Sequence, residues 1–279
     1  MKKYALAAFT LIELSMVVMV ASLMTAGYLR YATVRKDTDS VTATNTSLDV
    51  IETALQNYRN TYGRLPCPSD LTLAENTANF GIEAANKGSC RGGTPAANFV
   101  NSAADPDAAQ ALYTSENTSP YAIANQVVVG AVPTKTLMLP DKYAYDSWGR
   151  KIFYSVDIRS TGNGAFLAYN SSNSIIGAIA VKNTASDTLA NALTYKAIYA
   201  LTSPGKNGHG GYVRNFGATS VLFDYGSTDA DEQKNCHCNS SAAATAFDRI
   251  FVQKNKTNTF DDIVRYKTRM QLISPTELQ

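Results

Sequence analysis

One stretch near the N-terminus constrains the fold of this 279-residue chain more than any other. The 21 residues from Phe9 to Leu29 carry a single charge, that of Glu13. As a helix they extend about 31 Å, which is enough to cross the hydrocarbon core of a bilayer. We therefore expect a transmembrane helix over residues 9–29, and Lys2 and Lys3 favour a cytoplasmic N-terminus.

The carboxylate of Glu13 is unexpected in such a segment. A charge in lipid costs about 3 kcal/mol even on lenient scales, so a plain anchor or a cleaved signal peptide would avoid it. If the chain is cut before Phe9, however, the new ammonium group lies four residues from Glu13 on the same helical face. Pairing of these charges, within one chain or between neighbouring copies, removes much of the cost and fixes the register of packed helices.

The run "FTLIELSMVVMVASLM" resembles the first helix of type IV prepilins and of the pseudopilins of type II secretion. The resemblance implies that residues 1–8 are a leader, that a prepilin peptidase cuts between Ala8 and Phe9, and that the new N-terminus is methylated. It also implies that Phe9 and Glu13 are assembly contacts. One position departs from the family, because the residue before the cut is normally Gly and here is Ala8.

The helix is predicted to continue beyond the membrane segment to Tyr62. An apolar stripe at spacings of three, four and seven residues predicts one face packed on a soluble domain; it consists of Val41, Leu48, Ile51, Leu55, Tyr58 and Tyr62. Gly63 and Pro66 are typical of a helix end. The alternative is two helices that separate near Asp37–Ser40, where Thr and Ser are weak helix formers.

Residues 63–279 form the predicted globular head. Its strand-like runs are "QVVVGAVP", "KIFYSVD", "SIIGAIAVKN" and "YKAIYALTS". The phrase "DSWG" at Asp146 resembles the one before the first strand of the pseudopilin sheet. We expect an α+β, pilin-like fold, in which a long N-terminal helix packs on a small antiparallel sheet of three or four strands with long irregular loops.

Four cysteines fall into two sequence-local pairs, which favours an oxidising compartment. Proximity in the sequence favours a Cys67–Cys90 bridge. Cys236 and Cys238 either close a small ring or cross to the first pair. A zinc site at Cys236, His237 and Cys238 is the weaker alternative, because structural zinc sites space their cysteines further apart.

The Gly-rich segment "LTSPGKNGHGGY" and the later "FDDIVRY" resemble the two parts of the calcium site of major pseudopilins. The resemblance implies calcium ligands at Ser203, Asn207, Asp261 and Asp262, although Asn207 stands where an Asp is expected. The alternative is a Gly-rich turn closed by hydrogen bonds without an ion. The acidic stretch with Asp224, Asp229, Asp231 and Glu232 lacks EF-hand spacing, and we interpret it as a solvated loop.

The sequence contains none of the common catalytic motifs that we sought, and two histidines offer few general bases, so we expect no enzyme and no catalytic residues. A net charge of +2 gives no footprint for nucleic acid. We expect a structural subunit of a pilus or pseudopilus, first in the inner membrane with a periplasmic head and then in a fibre with other pilin-like subunits. The alternative is a membrane-anchored periplasmic enzyme or binding protein that acts as a monomer.

Overall fold

The computed structural model describes residues 10–85, 90, 98–99, 127–166, 177–214, 226–238 and 249–272. The chain divides into two compact units, Met1–Ala43 and Thr44–Gln279. One helix, α1 (Leu11–Tyr62), is continuous through the boundary between them. A break near Asp37–Ser40, the alternative that the sequence left open, is therefore absent from the described helix.

In the first unit, α1 exposes a continuous apolar surface. Fourteen large apolar side chains are more than half exposed, namely Leu11, Ile12, Leu14, Met16, Val17, Val18, Met19, Val20, Leu23, Met24, Tyr28, Leu29, Tyr31 and Val34. The hydroxyls of Ser15, Ser22 and Thr25 each donate to a carbonyl of the preceding turn at 2.8 Å. These bonds leave fewer polar groups without a partner in an apolar medium. Among the described residues, α1 is the one helix long and apolar enough to cross a membrane.

In the second unit, the predicted stripe forms the core side of α1. Leu48, Ile51, Leu55 and Tyr58 are buried, whereas Tyr62 remains 52% exposed. Arg59, a charged residue of the same helix, is only 3% exposed. Its guanidinium carbon lies 5.1 Å from the centroid of the Phe166 ring, a favourable position for a cation over an aromatic face.

The helix ends where the sequence predicts. Gly63 has a positive φ of 63°, and its amide donates to the Arg59 carbonyl at 2.8 Å. This left-handed cap is strained for residues other than glycine. The chain then turns towards the sheet, and the Leu65 amide donates to the Ser160 carbonyl.

Seven strands form one mixed sheet in the described residues. They are β1 (Asn98–Phe99), β2 (Val127–Ala131), β3 (Phe153–Asp157), β4 (Ile179–Lys182), β5 (Thr194–Ser203), β6 (Ile250–Val252) and β7 (Ile263–Thr268). The order is β1-β2-β3-β5-β4-β6, and β7 pairs with β5. The described part of the head also contains two short α-helices, α2 (Ala230–Cys236) and α3 (Arg269–Leu272), and three 3-10 helices at Asp141–Ala144, Ile158–Thr161 and Leu189–Asn191.

The sheet is larger than predicted and not purely antiparallel. The four predicted strands are present as β2 to β5, but β1, β6 and β7 are additional. β6 runs parallel to β4, because the chain returns through a long connection that contains β5 and α2. The coarse α+β architecture is confirmed, whereas the count of three or four antiparallel strands is wrong.

The central strands present one face to α1. Val128, Tyr154, Val156 and Leu201 share a buried cluster with Leu48, Ile51 and Leu55. β7 adds polar ties to the same helix. Arg265 donates to Asp49 at 2.7 Å, and Lys267 lies 3.4 Å from Glu52.

Lys151, next to β3, is a fully buried cation. Its ammonium group donates to the carbonyl oxygens of Leu71 and Leu73. Burial lowers the pKa of Lys151 from 10.5 to about 8, against the opposing effect of Asp70 and Glu75. The folded chain therefore binds fewer protons than the unfolded chain between these pH values.

This shift predicts a pH-dependent contribution to stability. Between pH 8 and 10.5 the free energy of unfolding of the wild type rises relative to that of Lys151→Met, by at most about 1.4 kcal/mol per pH unit. Chemical denaturation at several pH values measures it, with Lys36→Met, a change of an exposed lysine, as the control. Parallel curves for the wild type and Lys151→Met would contradict the prediction.

Candidate functional site

The sequence-predicted residues at the start of α1 are partly described. Ala8 and Phe9 lie outside the described residues, so the predicted pair between the Phe9 amine and Glu13 stays a prediction. Glu13 itself lies in the first turn of α1. Its Oε2 accepts hydrogen bonds from the Thr10 amide and the Thr10 hydroxyl, both at 2.9 Å. The Glu13 amide lies 3.3 Å from Thr10 Oγ1, which completes a reciprocal capping box.

The predicted calcium ligands lie around a Gly-rich loop at residues 204–211. The amides of Lys206 and Asn207 each donate to Asp261 Oδ2 at 3.1 Å. Gly205 has a φ of 66°, and a Cβ there would lie 2.3 Å from Asp261 Oδ1. Glycine at this position is therefore needed for both the backbone conformation and the close approach of Asp261.

Ser203 is oriented away from this role. Its hydroxyl donates to Asp146 Oδ2 at 2.7 Å, and the Gly205 amide lies 3.3 Å from the same hydroxyl oxygen. The other carboxylate oxygen of Asp146 accepts from the amides of Trp148 and Arg150, both at 2.9 Å. Ser203 thus joins the "DSWG" turn to the end of β5. Its hydroxyl is bound to Asp146 and does not join Asp261.

Glu232 is the residue that sequence reasoning missed. It comes from α2 and is only 1% exposed. Its carboxylate accepts from the Asn207 side chain at 2.5 Å and from the Asp261 amide at 3.2 Å, and it lies 2.7 Å from His209 Nδ1. Glu232 therefore connects the Gly-rich loop to the segment that precedes β7.

The acidic stretch before Cys236 is ordered rather than a solvated loop in its described part. Asp229 caps α2 by accepting from the Asp231 amide at 2.9 Å, and Asp231 pairs with Lys254. The sequence carried a usable signal, since an Asp followed by acidic residues is typical of the first turn of a helix. A helix prediction there would have placed Glu232 on a definite face.

Three carboxylates converge at this point. Glu232, Asp261 and Asp262 offer oxygen atoms that all lie within 4.8 Å of one another. Burial, and then the Glu232 carboxylate, raise the pKa of Asp262 well above its ordinary value. Burial likewise raises the pKa of Asp261, although the hydrogen bond from the Asn207 amide opposes the shift. Crowded carboxylates of this kind are stabilised by a proton or by a cation.

The donor set fits a hard cation. Calcium takes oxygen ligands, and three carboxylates supply them within 4.8 Å of one another. The revised candidate ligands are Glu232, Asp261 and Asp262. Asn207 leaves the predicted set, because its Nδ2 donates to Glu232 and its Oδ1 accepts from the His209 amide. Ser203 leaves the set because its hydroxyl is bound to Asp146.

Both disulfides lie in the head. Cys67–Cys90 is present as predicted, and Cys236–Cys238 closes the small ring rather than crossing to the first pair. The zinc alternative therefore lacks its two thiolates. A Cβ on Gly210 would lie 2.6 Å from Cys236 Cβ, so the ring packs directly against the Gly-rich loop. The ring thus ties the C-terminal end of the helix that supplies Glu232.

The carboxylate cluster generates a prediction for Asp262→Asn. In chelator, this variant is expected to melt at a higher temperature than the wild type near neutral pH, because it removes one of three crowded charges. In excess calcium, the wild type is expected to gain about 5 °C, and the variant to lose most of that gain. Differential scanning calorimetry of the full chain in detergent measures both.

Asp39→Asn is the matched control, since Asp39 is an exposed helix residue outside the cluster. It is expected to show the same calcium response as the wild type. A wild-type melting temperature that is equal in calcium and in chelator would contradict the assignment of calcium to this cluster.

Comparison with protein-family models, with curated proteins and with solved structures yields no match for this chain.

Proposed function

We propose that this protein is a structural subunit of a type IV pilus-like fibre or of a type II secretion pseudopilus. It is made as a single-pass inner-membrane precursor with its head in the periplasm. A prepilin peptidase cuts it before Phe9, and it then assembles through its N-terminal helix with other pilin-like subunits.

The observation that carries the proposal is that one unbroken helix has an exposed apolar part and a part buried in the head. The part of α1 up to Val34 exposes large apolar side chains, whereas the part from Leu48 to Tyr58 is buried in the head core. A helix of this kind has one end suited to lipid or to the helices of other subunits, and one end integral to a folded domain.

Glu13 supports assembly over simple anchoring. An anchor gains nothing from a carboxylate in its first apolar turns, and its cost in lipid persists unless a cation pairs with it. In a subunit the carboxylate fixes the axial register between neighbouring helices, because a buried charge pair forms at only one axial offset.

The described head is compatible with this function. It is an α+β domain whose longest helix packs on one sheet and whose two disulfides suit an oxidising compartment. The proposal covers both the fibre and the secretion types, and both major and minor subunits.

Glu13→Ala tests the assembly role. Fibre formation in cells is expected to fall to background, because the carboxylate that pairs with a neighbouring amine is gone. Electron microscopy and the yield of sheared fibres measure it. Head folding, read from formation of the Cys67–Cys90 bridge, is expected to be unchanged.

Asp39→Ala, an exposed acidic position of the same helix, serves as the control and is expected to assemble normally. Normal assembly or secretion by Glu13→Ala would contradict the proposal. It would favour a membrane-anchored protein whose head acts alone.

Processing gives a second prediction. Mass spectrometry of the mature chain is expected to show Phe9 as a methylated N-terminal residue. Ala8→Gly is expected to raise the processed fraction, and Ala8→Asp to leave the precursor uncut, because the peptidase of the resembled family accepts a small residue there. A mature chain that begins elsewhere, or a full-length chain in assembled fibres, would contradict the proposal.

A further inference from the structure

We propose that the Cys236–Cys238 disulfide is a redox-sensitive site, which holds the Gly-rich loop at residues 204–211 against α2 when it is closed and which a dithiol reductant opens. This inference goes beyond the proposed function, since it concerns the head alone and does not depend on assembly.

The two disulfides of the head constrain very different lengths of chain. Cys67 and Cys90 are 23 residues apart in the sequence, whereas Cys236 and Cys238 are 2 residues apart. In the chain-entropy account, a bridge that closes a shorter loop restricts the unfolded chain less. We therefore expect the Cys236–Cys238 ring to add less to the stability of the whole head, and we look for its effect in its immediate surroundings.

The ring lies in direct contact with the Gly-rich loop. Cys236 is the last residue of α2. A Cβ built on Gly210 would lie 2.6 Å from the Cβ and 3.3 Å from the Sγ of Cys236. Gly210 also has a φ of 67°, a conformation that favours glycine. The loop backbone therefore packs on the closed ring with no room for a side chain between them.

The same helix contacts the loop at a second point. Glu232 lies one turn before Cys236, and its carboxylate accepts from the Asn207 side chain at 2.5 Å. Asn235 fixes α2 to the sheet, because its side-chain amide exchanges hydrogen bonds of 2.9 Å and 2.7 Å with the backbone of Val252 in β6. A displacement of the last turn of α2 would therefore change the contacts of the loop.

His237, between the two cysteines, indicates what the ring restrains. It has a φ of 50° and a ψ of 41°, the left-handed conformation that residues other than glycine rarely adopt. Its imidazole packs edge-to-face on Phe251, with 5.2 Å between the ring centroids. The bridge joins the residues on either side of His237 and so limits its backbone. With the bridge open, we expect His237 to leave this conformation and the last turn of α2 to fray.

The opening step is thiol–disulfide exchange. A thiolate of the dithiol attacks one sulfur of the ring, the Cys236–Cys238 bond breaks, and a mixed disulfide forms. The second thiolate of the reductant then attacks the reductant's own sulfur in that mixed disulfide and releases the second cysteine of the protein. The reductant leaves as a disulfide, and its two electrons and two protons remain on Cys236 and Cys238 as two thiols.

Exposure favours reduction at this site over the other bridge. Cys236 and Cys238 are 6% and 3% exposed, whereas Cys67 and Cys90 are both 0% exposed. Exchange requires access of a thiolate to a sulfur atom, so a smaller local opening admits the reductant to the ring.

The test titrates the full chain in detergent with dithiothreitol. Alkylation and mass spectrometry measure the reduced fraction of each cysteine pair, and hydrogen exchange measures the loop. The ring is expected to open at a dithiothreitol concentration at least about tenfold below that for Cys67–Cys90. The amides of Lys206 and Asn207, which donate to Asp261, are expected to exchange at least about tenfold faster once the ring is open.

Cys236→Ser combined with Cys238→Ser is the control. It lacks the ring, so its loop is expected to exchange fast both with and without dithiothreitol. The amide of Leu201, in the central strand β5, is expected to stay protected when the wild-type ring opens. This comparison within the wild type decides the question even where the serine variant does not fold.

Three results would overturn the inference. Reduction of Cys67–Cys90 before or together with the ring would show that the ring is not the sensitive site. Equal exchange at Lys206 and Asn207 with the ring open and closed would show that it does not hold the loop. Loss of protection at Leu201 on opening would show a role in the whole head instead. Each of these results leaves the assembly role of α1 untouched.

Discussion

The rest of this molecule depends on a single helix, α1, whose two ends differ in chemistry. Helical hydrogen bonds satisfy its backbone, and Ser15, Ser22 and Thr25 direct their hydroxyls to carbonyls of the same helix. What remains polar within the predicted membrane segment is the carboxylate of Glu13. Because that charge receives two donors from Thr10, its electrostatic cost is reduced but not cancelled. Under the proposed function, the ammonium group of a neighbouring subunit completes the partners of this carboxylate.

In the second unit, the apolar side chains of α1 that face the sheet are buried rather than exposed. There α1 supplies the large side chains that the sheet needs to cover one of its faces, so Leu48, Ile51 and Leu55 are fully buried. The ion pairs from Arg265 to Asp49 and from Lys267 to Glu52 are partly exposed to solvent and contribute little each, so apolar burial dominates this packing. A break in α1 between Leu48 and Tyr58 would remove side chains from this core. This dependence explains why Gly63 ends the helix only after the last buried turn.

The sequence predicted the parts of the fold that depend on local patterns. The helix end at Tyr62 and strands β2 to β5 follow from periodicity, turn residues and length. β6 has three residues and β1 has two, too few for any alternation to be visible. β7 was recognised only as part of "FDDIVRY", because Arg265 and Lys267 interrupt its apolar pattern. The burial of Arg59 has no local signal, since its stacking on Phe166 depends on a residue more than one hundred positions away.

The carboxylate cluster of Glu232, Asp261 and Asp262 could likewise be predicted only in part from local sequence patterns. Asp261 and Asn207 were found from their motifs, but Glu232 comes from α2 and reaches them only through the tertiary fold.

Glu13 at one end of the chain and the Glu232 cluster in the head both hold negative charge that the described chain only partly compensates. Their solutions differ in kind. The Glu13 carboxylate is a single charge on an otherwise apolar stretch of α1, and under the proposed function it pairs with an ammonium group carried by another helix. Three converging carboxylates beside a glycine-rich loop suit a small cation of high charge or a bound proton. Under the proposed function, the Glu13 carboxylate therefore concerns contacts between copies, whereas the three carboxylates are a candidate cation site within the head, beside the loop that contacts Asp261.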